Sequence, residues 1–338
     1  MGHRGRALYN LLSMNVKRHP QLDVEPWQVE NYRVMSEKVL FSRLKELGIH
    51  LSKNAFLLAV DKVETPEELT ERLYQGDEFV CHQRIFLCLF ELWRRFAHHK
   101  RPLSVFCDAL DHLIEQYEEG NLECEGALEE MLVAWQGVLE DHVDEGGERD
   151  EALPLFSEFS CHDLERFVYE YVAHRIALED DLYASELLEG FYDFVQEPHW
   201  FDFLRVRLVF NVDREEGKVM VERLLEVERE APNLQLLFEV LHFLIYAGEL
   251  DLFYSVFRRA FERITNLAEL HDWLLIASEY MNCSEQFTKE EEINQLIEKK
   301  VLTSPDTQGA PPGDLLNTLR SWLFPKPCPP FPSEVTEH

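Results

Sequence analysis

The sequence predicts an all-α protein of stacked helical hairpins, a helical-repeat-like fold. Apolar residues recur at the three- and four-residue spacing of an amphipathic helix in nearly every segment. Residues that favour the start or the end of a helix separate these segments. Prolines recur at intervals of 34 to 52 residues, close to the length of one helix pair in a helical-repeat protein: Pro26, Pro66, Pro102, Pro154, Pro198 and Pro232. Two paired helices cannot bury both of their apolar faces alone, so we expect the pairs to stack.

The composition agrees with a folded protein that is not exported. Hydrophobic residues make up 46% of the 338 residues, and 23 Phe and 6 Trp provide material for a core. The 7 cysteines are spread without a Cys-x-x-Cys pair, so we expect free thiols in a reducing compartment. No apolar run approaches the roughly 20 residues that cross a bilayer, and the N-terminus lacks the apolar core of a signal peptide. We therefore expect a cytoplasmic protein without a transmembrane segment.

The charge is strongly acidic except at the N-terminus. The 64 Asp and Glu residues outnumber the 33 Lys and Arg residues, and the net charge is −31. Because such a chain repels a phosphate backbone, we expect no nucleic-acid partner. Residues 1–22 contain no acid and four bases: Arg4, Arg6, Lys17 and Arg18. We predict that this basic N-terminal segment docks as a helix on the following domain. The alternative is a targeting or secretion segment.

A first helical domain is expected over residues 23–140. Pro26 opens a helical pattern that Gly48 ends. Thr65, with proline next and Glu68 three residues later, forms a capping box that starts a short helix. Longer helices are predicted over about 77–98, 102–120 and 124–143.

An acidic stretch around two adjacent glycines marks the predicted domain boundary. Seven acidic residues lie between positions 140 and 151, and almost nothing there is apolar. Charges of one sign repel one another, and a segment that buries little apolar surface stays flexible. We therefore predict a flexible linker over residues 141–152.

A second, helical-repeat-like domain is expected over residues 153–302. At 203–222, partial alternation and β-branched residues also permit a β-hairpin with its turn at Asp213–Gly217, and this alternative stays open. The tail, 303–338, is rich in proline and expected to be disordered, except for a short helix at 314–324. The helices of the second domain are predicted near 162–177, 181–196, 199–210, 214–229, 233–247, 249–264, 267–282 and 289–301.

Residues 232–264 resemble a tetratricopeptide-type helical hairpin. Gly248 stands between the two predicted helices, and Ala260 follows at the spacing of the family's small residue. Leu244 and Ala247 occupy first-helix positions of the family. The resemblance implies a right-handed helical array whose concave face binds a peptide or a protein.

The sequence has no strong catalytic or cofactor signature. Motifs for phosphate-binding loops, dinucleotide binding, serine nucleophiles and zinc-protease helices do not occur. One Glu-x-x-His pair occurs, Glu239 with His242, whereas a di-iron bundle needs two. The dipeptides His162-Asp163 and His271-Asp272 lie near helix starts, where the helix dipole already favours a carboxylate. We predict no catalytic residues, no cofactor and no bound metal, and keep a metal-dependent all-helical hydrolase as an alternative.

We predict a non-enzymatic protein–protein interaction module, such as a helical-repeat adaptor, scaffold or chaperone. A structural subunit of a larger assembly is a further alternative, and the oligomeric state stays open. The candidate partner surface lies on two predicted helices and consists of Glu239, His242, Tyr246, His271, Trp273 and Tyr280. Aromatic, histidine and acidic side chains suit a partner segment that is basic and partly apolar. The alternative is that these residues pack against the next hairpin.

Overall fold

The computed structural model describes residues 3–122, 124–227, 233–298 and 309–323. The chain is all-α, and no strand occurs within those ranges. Two short 3-10 turns, Pro26–Gln28 and Tyr32–Val34, lie between the first two α-helices. The α-helices are α1 (Ala7–Arg18), α2 (Glu37–Glu46), α3 (Lys53–Val60), α4 (Pro66–Leu73), α5 (Phe79–Phe96), α6 (Leu103–Glu118), α7 (Glu125–Asp144), α8 (Arg149–Phe159), α9 (Leu164–Ala177), α10 (Asp181–Tyr192), α11 (Pro198–Val212), α12 (Arg214–Val227), α13 (Leu234–Ala247), α14 (Leu250–Phe261), α15 (Leu267–Cys283), α16 (Phe287–Glu298) and α17 (Gly313–Leu323).

The core of the first compact unit, Met1–Arg205, is organised around α5. Every residue from Ile85 to Trp93 is buried, as expected of a helix that is apolar on all sides. Helices α2 and α4 pack against α5. Farther along the chain, α6, α7 and α8 pack against one another, and α9 packs against α8 and α10.

The basic N-terminal segment docks on α6 of this unit. Tyr9 of α1 is buried, and Asn10 donates a hydrogen bond to Asp108 Oδ1 at 3.0 Å. The Lys17 ammonium lies 2.6 Å from the Glu115 carboxylate. Bases of an acid-free segment therefore meet acids of α6, in agreement with the predicted docking.

The structure differs from the linker predicted at 141–152. Helices α7 and α8 cover all of it except residues 145–148. Leu153 and Phe156 of α8 are buried, and the Phe156 ring lies 6.0 Å from the ring of Trp135 in α7. The linker was predicted from the repulsion between acidic charges. Apolar side chains at helical spacing nevertheless pack on α7, and their burial makes this segment helical. The division between compact units falls within α11 instead.

The second unit, Val206–His338, contains two consecutive helical hairpins. Helices α13 and α14 form one, α15 and α16 form the next, and α13 also packs against α15. Asn233 and Asn266 accept backbone hydrogen bonds at the starts of α13 and α15. Gly248 ends α13 with φ at 73°, the left-handed conformation that glycine adopts without strain. The first helices of the two hairpins are thus neighbours.

Residues 203–222 are helical, so the β-hairpin alternative is wrong. Helices α11 and α12 are separated only by Asp213. Its carboxylate accepts hydrogen bonds from the backbone N–H groups of Glu215 and Glu216, each at 3.1 Å. The residues considered for a hairpin turn therefore cap the start of α12.

The short helix predicted in the tail at 314–324 is present as α17. Of the tail predicted to be disordered, residues 303–308 and 325–338 lie outside the described residues, as does residue 324 of the predicted helix. Residues 309–312 are described, and the Gly309 carbonyl accepts a hydrogen bond from the Leu267 N–H at 3.0 Å. Within the described ranges, no helix combines the length and the apolar character that crossing a membrane requires.

Candidate functional site

Three of the predicted partner residues lie together on the outward side of α13. Glu239, His242 and Tyr246 are exposed and lie one turn apart along the helix. Glu279 of α15 joins them: its Oε2 lies 3.0 Å from His242 Nδ1, and its Oε1 accepts the Tyr246 hydroxyl at 2.5 Å. Leu275, one turn before Glu279 on α15, is also exposed. We call these five residues the α13–α15 face.

The apolar pattern of α13 sets the direction of this face. The helix begins at the Asn233 cap and ends at Gly248, so its register is defined at both ends. Its opposite side is buried and consists of Leu236, Leu237, Phe238, Val240, Leu241, Leu244 and Ile245. Burial of these side chains leaves Glu239, His242 and Tyr246 on the exposed side.

The α13–α15 face combines exposed apolar surface with carboxylates. The Tyr246 side chain is 77% exposed and Leu275 is 46% exposed. The hydrogen bond to the Glu279 carboxylate raises the pKa of Tyr246, so the hydroxyl stays protonated and the ring is held in place. Glu279 adds negative charge beside the ring, and Glu239 adds a further carboxylate two turns earlier on α13. Such a face suits a ligand that is both cationic and apolar.

Trp273 and Tyr280 belong to the core of the second unit and are not part of this face. They are 0% and 4% exposed. The Trp273 indole donates to the carbonyl of Phe257 at 3.2 Å, and the Tyr280 ring stacks on Phe253 at a centroid distance of 4.0 Å. Burial raises the pKa of Tyr280. These two residues are packing residues, and their side of α15 faces α14 of the preceding hairpin, not solvent.

His271 lies apart from the α13–α15 face. It is eight residues before Glu279, about 12 Å along α15. Its Nδ1 lies 3.5 Å from Asp272 Oδ1 on the same turn. In the other His-Asp dipeptide, Asp163 caps α9 by accepting the Arg166 N–H at 3.1 Å. The helix-cap position therefore accounts for an aspartate at residue 163 without a metal-binding role.

A second site is a buried polar cluster in the first unit, which sequence reasoning missed. Asp111 of α6 meets Ser160, Cys161 and His162 of the α8–α9 connection, and we call these four residues the Asp111 cluster. Asp111 Oδ1 lies 2.9 Å from His162 Nδ1 and accepts the Ser160 hydroxyl at 2.5 Å. The Cys161 N–H donates to Asp111 Oδ2 at 2.9 Å, and Cys161 Sγ lies 3.4 Å from His162 Nδ1.

The Asp111 cluster borders a cavity of about 180 Å³ between α1, α6 and the segment before α2. Met14 of α1 lines it, with its sulfur 3.3 Å from Cys161 Sγ. On the other side, Arg33 forms an ion pair with Asp108 at 2.5 Å. The cavity is therefore polar and large enough for several water molecules.

The geometry of the Asp111 cluster does not support a nucleophilic cysteine. A thiol–imidazole–carboxylate relay needs the thiol and the carboxylate on opposite ring nitrogens. Here both approach Nδ1 of His162. Burial also raises the pKa of the Cys161 thiol, so without a positive charge beside it the sulfur stays protonated and is a poor nucleophile. One sulfur, one imidazole nitrogen and one carboxylate oxygen nevertheless lie within 4.8 Å of one another, a donor set that metal ions use.

Sequence reasoning missed the Asp111 cluster because 50 residues separate Asp111 from Cys161. In the sequence His162 stands out only as part of a dipeptide with Asp163, whose carboxylate caps α9. The only local signal was three polar or thiol residues in succession, Ser160 to His162, between two apolar helices. Comparison of the whole chain with family models, curated proteins and solved structures finds no match.

Proposed function

We propose that this chain is a non-enzymatic protein-interaction module, an adaptor or scaffold of helical-repeat type. Its α13–α15 face binds a basic, partly apolar segment of a partner protein. The observation that carries the proposal is the exposed Tyr246 ring, held by Glu279 beside a second exposed apolar side chain, Leu275.

The packing of the two hairpins supports this proposal. In helical-repeat proteins, the first helices of successive hairpins form a continuous binding surface. Helices α13 and α15 are such first helices and pack against each other. The resemblance of residues 232–264 to a tetratricopeptide hairpin points to the same surface.

The chemistry of the face favours a cationic partner. Tyrosine is enriched in protein interfaces because it buries a large area with few rotatable bonds. The hydrogen bond from Tyr246 to Glu279 fixes the ring before a partner arrives, which reduces the entropy lost on binding. The carboxylates of Glu239 and Glu279 attract Lys or Arg, and the net charge of −31 accelerates encounters with basic segments.

A peptide-display selection against the immobilised full chain tests the proposal. We expect enrichment of peptides that combine Lys or Arg with apolar residues. Tyr246→Ala should weaken the selected peptides by about tenfold or more, and Glu279→Gln should weaken them and reduce the salt dependence of binding. Phe79→Ala is the matched control, because it removes a ring that is 70% exposed in the other unit.

The thermal unfolding midpoint of Tyr246→Ala shows whether weaker peptide binding results from the loss of partner contacts or from destabilisation of the fold. Because Tyr246 is exposed, Tyr246→Ala should leave the midpoint within about 2 °C of the unsubstituted chain. Peptides that bind Tyr246→Ala as tightly as the unsubstituted chain, or a selection without basic residues, would exclude this face as the binding site.

A further inference from the structure

We propose that Asp111, Cys161 and His162 bind one divalent metal ion of the zinc class. The ligands are a carboxylate oxygen of Asp111, the Cys161 sulfur and Nδ1 of His162. Zinc accepts all three ligand types, whereas magnesium and calcium require oxygen ligands. The proposal is independent of the α13–α15 face.

The spacing of the donor atoms is close to that around tetrahedral zinc. Bonds of about 2.3 Å to sulfur and about 2.0 Å to nitrogen and oxygen place sulfur about 3.5 Å from nitrogen and nitrogen about 3.3 Å from oxygen. In the structure, Cys161 Sγ lies 3.4 Å from His162 Nδ1. Asp111 Oδ1 lies 2.9 Å from the same nitrogen. A shift of the carboxylate oxygen by about 0.4 Å brings its distance from the nitrogen to the tetrahedral value, and all three donor atoms lie within 4.8 Å of one another.

The donor groups are held in place by buried hydrogen bonds. The side chains of His162 and Asp111 are only 6% and 3% exposed. Asp111 accepts the Ser160 hydroxyl and the Cys161 N–H, which fix the orientation of the carboxylate. Hydrogen bonds of this kind to a ligand carboxylate orient it in metal sites.

An independent observation is the unpaired second nitrogen of the imidazole. His162 Nε2 is buried and has no hydrogen-bond partner among the described residues. If Nδ1 carries the proton and donates to Asp111, Nε2 is a buried acceptor without a donor, which is unfavourable. A metal ion on Nδ1 moves the ring proton to Nε2. There it faces the Glu118 carboxylate, whose Oε2 is 4.0 Å away, and a short side-chain movement completes the hydrogen bond.

The cavity provides the remaining coordination position. It borders Cys161, His162 and Asp111 and is large enough for a water ligand. Three protein ligands with one open position is a common arrangement for zinc. The ion would join α6 to the α8–α9 connection, two parts of the unit that are 50 residues apart in the chain.

Titration of the chelator-treated full chain with Co²⁺ and then Zn²⁺ tests the site. We expect one Co²⁺ per chain with a thiolate-to-cobalt charge-transfer absorption, and displacement of the cobalt by Zn²⁺. Cys161→Ser should abolish that absorption, and both Cys161→Ser and His162→Gln should weaken metal binding at least tenfold. Cys88→Ser is the matched control, because Cys88 is a buried thiol within the apolar core around α5.

The outcomes separate this site from adventitious binding. Cys124 and Cys283 are exposed thiols, where any adventitious metal would be expected to bind. If the absorption persists in Cys161→Ser, the metal is held elsewhere and the proposal is wrong. Absence of stoichiometric cobalt and zinc binding by the unsubstituted chain also overturns it, whether or not the variants fold. Zn²⁺ should raise the thermal midpoint of the unsubstituted chain and of Cys88→Ser, and not that of Cys161→Ser.

Discussion

Two glutamates of the first unit, one buried and one half-buried, show how differently carboxylates are accommodated. Glu91 of α5 is 3% exposed, and both of its oxygens accept hydrogen bonds from Arg94, at 2.9 and 2.7 Å. Among the described residues, no cation pairs with Glu67 of α4 in this way. Its Oε2 accepts the Ser104 hydroxyl at 3.2 Å, and its buried Oε1 has no hydrogen-bond partner among the described residues. Burial raises the pKa of Glu67 above its usual value of 4.5.

The raised pKa of Glu67 predicts a pH-dependent effect of Glu67→Gln. The folded state holds the Glu67 proton more tightly than the unfolded state, so the free energy of unfolding falls as pH rises from about 4.5 through the raised pKa. In Glu67→Gln the side chain is a neutral amide that does not ionise, so this fall in the free energy of unfolding does not occur. The variant should therefore gain stability relative to the unsubstituted chain as pH rises from about 4 to 7. Urea unfolding at several pH values measures the difference.

Glu71→Gln is the control for this effect, because Glu71 is an exposed glutamate on the same helix. The difference in the free energy of unfolding between Glu71→Gln and the unsubstituted chain should not increase with pH as it does for Glu67→Gln. If Glu67→Gln instead loses stability relative to the unsubstituted chain as pH rises, the ionised Glu67 carboxylate stabilises the folded state and the prediction is wrong.

At the scale of the helices, local signals located most of the boundaries. The predicted helices at 77–98 and 102–120 correspond to α5 and α6 within two residues at each end. The pattern opened by Pro26 was misjudged: it forms two 3-10 turns, and α2 starts only after Ser36, whose side chain accepts the Val39 N–H at 3.4 Å. Caps and apolar spacing are properties of neighbouring residues, so the sequence contains them directly.

The candidate sites depend on contacts between distant residues, and sequence reasoning reached them only partly. The outward side of α13 was predicted correctly because its apolar stripe is continuous. Trp273 and Tyr280 were predicted on the partner surface, which is wrong. Their side of α15 is buried by α14, and the sequence does not state where α14 lies. Asp111 and Cys161 illustrate the same limit, since nothing local relates two residues 50 positions apart.

Two glycines, one at the end of a helix and one inside a helix, should respond in opposite ways to alanine. Gly248→Ala places a side chain at φ 73°, which should lower the free energy of unfolding by about 1 kcal/mol. A Cβ there meets nothing closer than 3.7 Å, so the effect comes from the backbone. Gly137 lies within α7 with open space around a Cβ, and Gly137→Ala should stabilise by about 0.5–1 kcal/mol. Urea midpoints of the two variants check this, and equal shifts would contradict it.

At the scale of the whole molecule, the two compact units do not coincide with the predicted domains. The acidic connection at 145–148 lies inside the first unit, between helices that share a core. The Trp135 ring of α7 lies 6.0 Å from Phe156 of α8 and 4.8 Å from Phe191 of α10. Aromatic contacts therefore continue across the acidic connection. A cut there should not separate two independent domains.

Limited proteolysis with a Glu-specific protease tests this continuity. We expect early cleavage at Glu145 or Glu148, and we expect the two fragments to elute together in size-exclusion chromatography under native conditions. Their shared core holds them until a denaturant is added. Cleavage first at Glu158, next to the Asp111 cluster, would contradict the structure. Separation of the fragments without denaturant would restore the domain boundary at 141–152.

The docking of α1 on α6 has a consequence for folding during synthesis. The hydrogen bond from Asn10 to Asp108 spans 98 residues. At about 5–20 residues per second, a ribosome needs about 5 to 20 s to add that length. For this interval a basic, amphipathic helix is outside the ribosome without its acidic docking surface. Docking of α1 therefore waits until α6 has been synthesised, and the side of α1 that carries Tyr9 is exposed in translating chains but buried in the finished protein.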